Sequence, residues 1–143
     1  MSDTNAQKHV FPLRVYYEDT DAGGIVYYAN YLRFAERART EYLRSVGADH
    51  RSLMEQEDVY FTVRQCLVDY LKPAFLDDAL EVHSCFFDVR GASLQAEQVV
   101  CREESELARM NIQLACVGSD GRPSRMPKKL RDAFAADIAT GRR

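Results

Sequence analysis

Only one long segment of this chain has helical spacing, and nearly every apolar run after it alternates with a period of two. Over 29–46, Tyr31, Ala35, Ala38, Tyr42 and Val46 recur every three or four residues. Leu32, Phe34 and Leu43 widen that face, while Arg33, Arg37, Arg39, Glu41 and Arg44 supply charge. Gly47 suits the end of such a helix, because helix C-termini favour glycine. Four strand-like runs follow. Val59, Phe61, Val63 and Leu67 alternate within 59–70, and Leu80, Val82 and Phe86 within 80–89. Leu94, Ala96 and Val100 do so within 93–101, and Ala108, Met110, Ile112, Leu114 and Cys116 within 107–117. Long runs of period two predict antiparallel strands, each half buried. A further strand is predicted over 11–17, a short helix over 51–56 and a last short helix over 127–136. One helix with five strands is an α+β arrangement.

The chain of 143 residues is one domain's worth. Residues 1–9 read as a flexible tail, 10–136 as the domain and 137–143 as a C-terminal tail. One helix covers one face of such a sheet, so the open edges and outer surface predict a homo-oligomer, a dimer or a tetramer. No apolar run approaches the ~18 residues that a membrane span needs. The polar N-terminus lacks the apolar core of a signal peptide, so a cytoplasmic location is expected. With 19 basic and 22 acidic residues, the charge of −3 argues against nucleic acid as the main partner. Cys66, Cys85, Cys101 and Cys116 lack the C-x-x-C spacing of zinc and redox sites, so no metal is expected.

The chemistry concentrates between the first strand and the helix. Glu18, Asp19 and Asp21 end the strand, Gly23 and Gly24 permit a tight turn, and the helix begins directly afterwards. A helix N-terminus presents amides without internal partners and favours negative charge. A carboxylate facing such an oxyanion site is a workable hydrolase layout. An acidic turn before a helix is more often a plain cap, and local reasoning leaves both readings open. In an extended chain Asp19 and Asp21 would point to the same side. Asn30 could fix the helix start by side-chain hydrogen bonds. Glu36 reads as a structural partner of Arg39 or Arg33 at helical spacing.

The stretch from Tyr17 through Asp19-Thr20-Asp21 and Gly23-Gly24 to Tyr27, followed by Asn30-Tyr31 and by Phe34 to Arg39, resembles the signature of hotdog-fold acyl-CoA thioesterases. The branch is that of 4-hydroxybenzoyl-CoA thioesterase, nearest the bacterial subfamily associated with the Tol–Pal cell-envelope system. The similarity extends from about Phe11 to Ala135 and includes the turn from Arg90 to Ser93 and the Pro127-Lys128 helix start. It implies a five-stranded antiparallel sheet wrapped around one long helix. It implies that Asp21 is the catalytic carboxylate, that backbone amides around Tyr27 and Tyr28, beside Gly24, polarise the thioester carbonyl, and that no cofactor is needed. Asp19, Asn30 and Glu36 are secondary candidates. Many members of the Tol–Pal subfamily carry histidine where this chain has Tyr28, and a phenol is not a base near neutral pH.

Coenzyme A carries phosphates, so its site needs donors. Arg90 and Ser93 resemble the family's positions near the nucleotide. Arg122, Arg125, Lys128, Lys129 and Arg131 form a basic run that can hold phosphates. The run could instead meet an acidic acyl carrier protein. The resemblance thus implies hydrolysis of an acyl-CoA to a free acid and coenzyme A. The alternative is a scaffold that docks acyl carrier protein or lipid-synthesis enzymes with little turnover.

Overall fold

A computed structural model describes residues 8–141 of the chain. The first strand, β1, is His9–Arg14, and a tight turn at Tyr17–Asp19 follows it. Helix α1 spans Asn30–Ser45, and a short helix, α2, spans His50–Ser52 and runs into a wide turn at Leu53–Glu57. Strands β2 (Val59–Tyr70), β3 (Ala79–Phe87), β4 (Ser93–Arg102) and β5 (Ser105–Gly118) come next, and helix α3 (Lys128–Gly141) closes the fold. The strands form one antiparallel sheet in the order β1-β3-β4-β5-β2.

Several predicted boundaries change. The first strand ends at Arg14 rather than running to 17, because the chain turns to bury Asp19. It also starts at His9, inside the segment read as a tail, while residues 1–7 lie outside the described residues. The last helix continues past 136 to Gly141, through most of the segment read as a C-terminal tail. Leu130 and Phe134 anchor that helix in the core.

One face of the sheet carries Leu80, Val82, Leu94, Ala96, Met110 and Ile112, all buried, and α1 joins them in the same core. Helix residues Phe34, Ala35 and Ala38 have no exposed surface at all. Two alanines on the buried stripe leave room for the helix backbone to approach the sheet closely, and Phe34 fills the space beside them. Gln98 crosses this contact as a fully buried polar side chain. Its Nε2 donates to the Ala35 carbonyl at 2.9 Å and to Ser84 Oγ at 2.9 Å, and its Oε1 accepts from Arg39 Nη1 at 2.8 Å. Satisfied in this way, the amide costs little to bury and fixes the level of the helix on the sheet.

β2 is an edge strand, and two of its apolar residues remain uncovered, Val63 at 47% exposed and Leu67 at 63%. The predicted alternation also fails at its centre. Val63 pairs with Leu114 but Gln65 pairs with Gln113, so β2 carries one extra residue. Such a bulge reverses the side on which later side chains lie. Cys66, Val68 and Tyr70 therefore oppose the inward Ile112, Met110 and Ala108, while Leu67 shares the outer face with Asn111.

The close seating of α1 gives a direct expectation. Ala38→Leu should destabilise the fold by about 1–3 kcal/mol, the usual cost of overpacking a filled core. A chemical-denaturation midpoint shifted to lower denaturant with an unchanged slope is the expected measurement. An unshifted midpoint would show that the helix has room to move.

Candidate active site

The segment between β1 and α1 is held at both ends by backbone bonds. Val15 N–H donates to the Asp78 carbonyl at 2.9 Å, and Val26 N–H to the Ala74 carbonyl at 2.9 Å. Within it, Thr20 and Val26 form an antiparallel bridge. Asp21 N–H donates to the Ile25 carbonyl at 2.8 Å, and Gly24 N–H to the Asp21 carbonyl at 3.0 Å. Gly24 has φ +82°, a conformation that suits glycine and strains other residues. The turn is thus a closed loop rather than an extended strand end.

That closure separates the two aspartates. Asp19 is 3% exposed. Its Oδ2 accepts from Tyr16 N–H and its Oδ1 from Asn30 Nδ2, both at 2.8 Å. The expectation that Asp19 and Asp21 face the same way fails because the turn at Tyr17–Asp19 rotates the first carboxylate into the protein. Asp19 and Asn30 form a buried brace between the turn and the first residue of α1. Asp21 is exposed, and its Oδ1 accepts from Gly23 N–H at 2.8 Å. Among the described residues its Oδ2 has no partner.

The helix start also divides the predicted donors. Tyr27 N–H donates to the Asp19 carbonyl at 2.9 Å, so both that amide and the Gly24 amide are already engaged. The Tyr28 N–H has no acceptor among the described residues. Of the three backbone positions singled out in the sequence, Tyr28 is therefore the one whose amide is open to an incoming carbonyl. The Tyr28 ring lies against Tyr27 and Tyr70, with centroids at 4.9 and 6.1 Å, and its carbonyl accepts from the Tyr70 hydroxyl at 2.9 Å. Tyr70 sits on the inner face of β2 after the bulge, which is why sequence spacing alone did not place it here. Burial pushes its phenol above the ordinary value, with Cys66 and Tyr28 adding to the shift.

Glu36 is not part of this cluster. It lies two turns into α1 and lines a separate cavity with Arg39. Neither Arg39 nor Arg33 forms an ion pair with it among the described residues, although Glu36 and Arg39 interact electrostatically.

The basic residues split into two groups. Arg90 lines a broad depression of about 800 Å³ with Arg125 and Arg131. Met126 N–H donates to the Gly91 carbonyl at 2.8 Å, which draws the last loop against the β3–β4 turn and brings these arginines together. Asp88 pairs with Arg90 at 3.2 Å. Ser93 begins β4 beside this turn, and its carbonyl accepts from Arg90 N–H at 2.8 Å. Lys128 instead pairs with Asp132 at 2.7 Å, and Lys129 lies against Gly47 at the far end of α1. The depression thus gathers Arg125 and Arg131 around Arg90 and leaves both predicted lysines outside. No cluster of ligating side chains suited to a metal ion occurs among the described residues. No described helix is long and apolar enough to cross a membrane.

The buried brace predicts that Asp19→Asn acts first on stability. An amide in that position points its NH₂ at one of two donors, a loss of about 1–3 kcal/mol. Thermal melting of the variant should fall by several degrees, on the scale of about 2–4 °C per kcal/mol for a chain of this size. An unchanged melting temperature would refute the brace.

Comparison with known proteins agrees with this architecture. The profile of the thioesterase-like superfamily matches residues 15–134. The chain is 44% identical over 125 residues to the acyl-CoA thioesterase YbgC of Haemophilus influenzae, covering 87% of this chain and 92% of that protein. It is 43% identical over 126 residues to the acyl-CoA thioester hydrolase YbgC of Escherichia coli O6:H1, covering 87% and 93%. A solved probable thioesterase from Bartonella henselae superposes with a TM-score of 0.81 at 34% identity, covering 84% of this chain and 99% of that one. With its single antiparallel sheet seated on α1, and with the match spanning both, the chain belongs to the thioesterase-like superfamily of hotdog fold.

Proposed function

We propose that this acyl-CoA thioesterase uses Asp21 and the open end of α1 to hydrolyse its substrate. Its kinship with acyl-CoA thioesterases over most of both chains establishes the reaction class, release of a free acid and coenzyme A from a thioester. The observation that carries the assignment is a pairing: an exposed carboxylate with one uncommitted oxygen, on a closed loop that leads into α1, and the Tyr28 amide, just before that helix, which lacks an acceptor among the described residues.

The thioester oxygen would accept from Tyr28 N–H. Charge that develops on that oxygen is then stabilised by a preformed donor and by the positive end of the helix. Asp21 Oδ1 is anchored by Gly23, leaving Oδ2 for the reaction. The carboxylate either takes a proton from an attacking water or adds to the carbonyl itself. In both routes the C–S bond breaks and the sulfur leaves as thiolate and is protonated; in the first, water supplies the new oxygen of the acid, and in the second, a mixed anhydride with Asp21 forms and water then cleaves it. None of these steps calls on a metal or a redox cofactor. In isotopically labelled water, a single turnover that labels Asp21 marks attack by the carboxylate.

Arg90, Arg125 and Arg131 would hold the phosphates of coenzyme A. Three guanidinium groups facing one Asp88 leave excess positive charge, and guanidinium forks suit phosphate oxygens. The same groove could receive the phosphopantetheine arm of an acyl carrier protein. The exposed edge of β2, with Val63, Leu67 and Tyr70, supports assembly with further copies into a dimer or tetramer. A cytoplasmic place within the Tol–Pal-associated branch, itself near the 4-hydroxybenzoyl-CoA enzymes, fits the motif residues, with Tyr28 supplying an amide and a ring rather than a base.

Asp21→Asn should lower kcat by about 10²-fold or more while the melting temperature and KM change little. Near-normal kcat in the folded variant, on a thioester that the wild type cleaves, would remove Asp21 from the reaction. Arg90→Ala should raise KM for acyl-CoA more than it lowers kcat, and should leave a short acyl-pantetheine substrate unaffected. An unchanged KM for acyl-CoA would place the nucleotide elsewhere.

A further inference from the structure

A second cavity, of about 240 Å³, opens beneath the middle of α1 and is walled mainly by apolar side chains, among them Leu43, Phe61, Val63 and Phe86. Its polar groups are few, and Arg39 is the cation among them with donors to spare. A guanidinium carries five N–H donors. In Arg39 one of them reaches Gln98 Oε1 at 2.8 Å, and the others have no acceptor among the described residues. The Tyr42 hydroxyl, on the same wall, is already donated to Asp137, and His50 Nε2 lies 3.2 Å from Thr40 Oγ1. Burial pushes the Arg39 guanidinium below its ordinary value, and Glu36 offsets this only in part. A half-buried cation with no carboxylate in ion-pair contact is costly to keep unless an acceptor joins it.

Strand β2 joins the cavity to the helix start, because it carries both the lining residues Phe61 and Val63 and Tyr70. Leu32, Glu36 and Arg39 follow one another at intervals of four and three residues, which places them on one face of α1, and Tyr28 lies two residues before the helix begins. Along the facing β2 edge, Tyr70 bonds the Tyr28 carbonyl at one end, and Cys66 couples to Arg39 at the other. From Tyr70 to Cys66, which lie on the same side of β2, the strand spans about 13 Å. That span fits an acyl chain of medium length running from a thioester at the helix start to the cavity.

We propose that this cavity receives the far end of the acyl group, and that Arg39, held in place by Gln98, selects acyl groups with a hydroxyl there. The proposal rests on hydrolysis taking place at the Tyr28 end of the helix. A hydroxyl suits the site better than a carboxylate. It can accept from Arg39 and donate to Glu36, whereas a second carboxylate would face the Glu36 charge. An alkyl terminus leaves the guanidinium donors unpaired. Gln98 acts here as a positioning residue, because its three hydrogen bonds fix where the guanidinium can point.

The test compares kcat/KM for ω-hydroxyoctanoyl-CoA, octanoyl-CoA and suberoyl-CoA, which end in a hydroxyl, a methyl and a carboxylate. The wild type should prefer the hydroxyl over the methyl by about tenfold, the scale of one hydrogen bond to a charged group. Arg39→Met should bring that ratio close to one, and Arg39→Lys should give an intermediate value. Ratios measured in one preparation are independent of the fraction that folds. Glu36→Gln changes an exposed residue, so folding is not at stake. It should reduce discrimination against suberoyl-CoA. A wild-type ratio near one, a preference for suberoyl-CoA, or an unchanged ratio in Arg39→Met would overturn the proposal while leaving thioester hydrolysis intact. Absence of thiol release from all three substrates would instead overturn the reading of the Tyr28 end as the reaction site, and this proposal with it.

Discussion

The distance between α1 and the sheet governs where every group of the candidate site lies. Ala35 and Ala38 let the helix backbone come close, and Phe34 and Tyr31 fill the space on either side. Gln98 then sets the level of the helix along the strands by bonding the Ala35 carbonyl. A close, pinned helix holds the free Tyr28 amide, two residues before it, at a defined height above the sheet, and its own polar face at a defined depth. Hydrophobic burial supplies most of the stability here, but it is non-directional. The amide of Gln98 supplies the direction, since a buried polar group must meet particular partners.

The helix start is then braced from the other side. Two aspartates separated by one residue have opposite fates. Asp19 is buried and spends both oxygens on Tyr16 and Asn30, while Asp21 stays at the surface with one oxygen uncommitted. The difference comes from backbone geometry, because the tight turn at Tyr17–Asp19 and the closed loop to Val26 rotate the two side chains apart. A rigid loop matters for chemistry, since a carboxylate held in place loses little freedom when the substrate arrives. The same loop spends the Gly24 and Tyr27 amides on its own closure, so Tyr28 is left as the open donor.

Binding groups gather where loops from distant parts of the sequence meet. Arg90 comes from the β3–β4 turn, Arg125 from the segment leading into α3, and Arg131 from the first turn of that helix. One backbone bond from Met126 to Gly91 joins these segments. Proximity in the basic run is a poor guide to proximity in space: Lys128 and Lys129 adjoin these arginines in sequence yet project elsewhere, because successive residues of a helix point in different directions.

Local patterning determined much of this protein. The period of the apolar residues places α1 to within a residue at each end and gives β2 its observed limits. The Asp19-Thr20-Asp21 motif with its glycine pair locates the candidate site and the family. These features are legible because helix and strand periods, glycine conformations and helix ends depend on neighbours in sequence. The extra residue in β2, which turns Leu67 outward and brings Tyr70 to the helix start, depends on pairing with β5 and has no local signal. The last turns of α3 are weakly patterned, and the helix is anchored through Leu130 and Phe134 in a core built by other segments. The burial of Asp19, the engagement of Tyr27 and the meeting of Arg39 with Gln98 were likewise decided by tertiary structure. Each depends on a hydrogen-bond partner or a packing surface that the chain reaches only once it has folded.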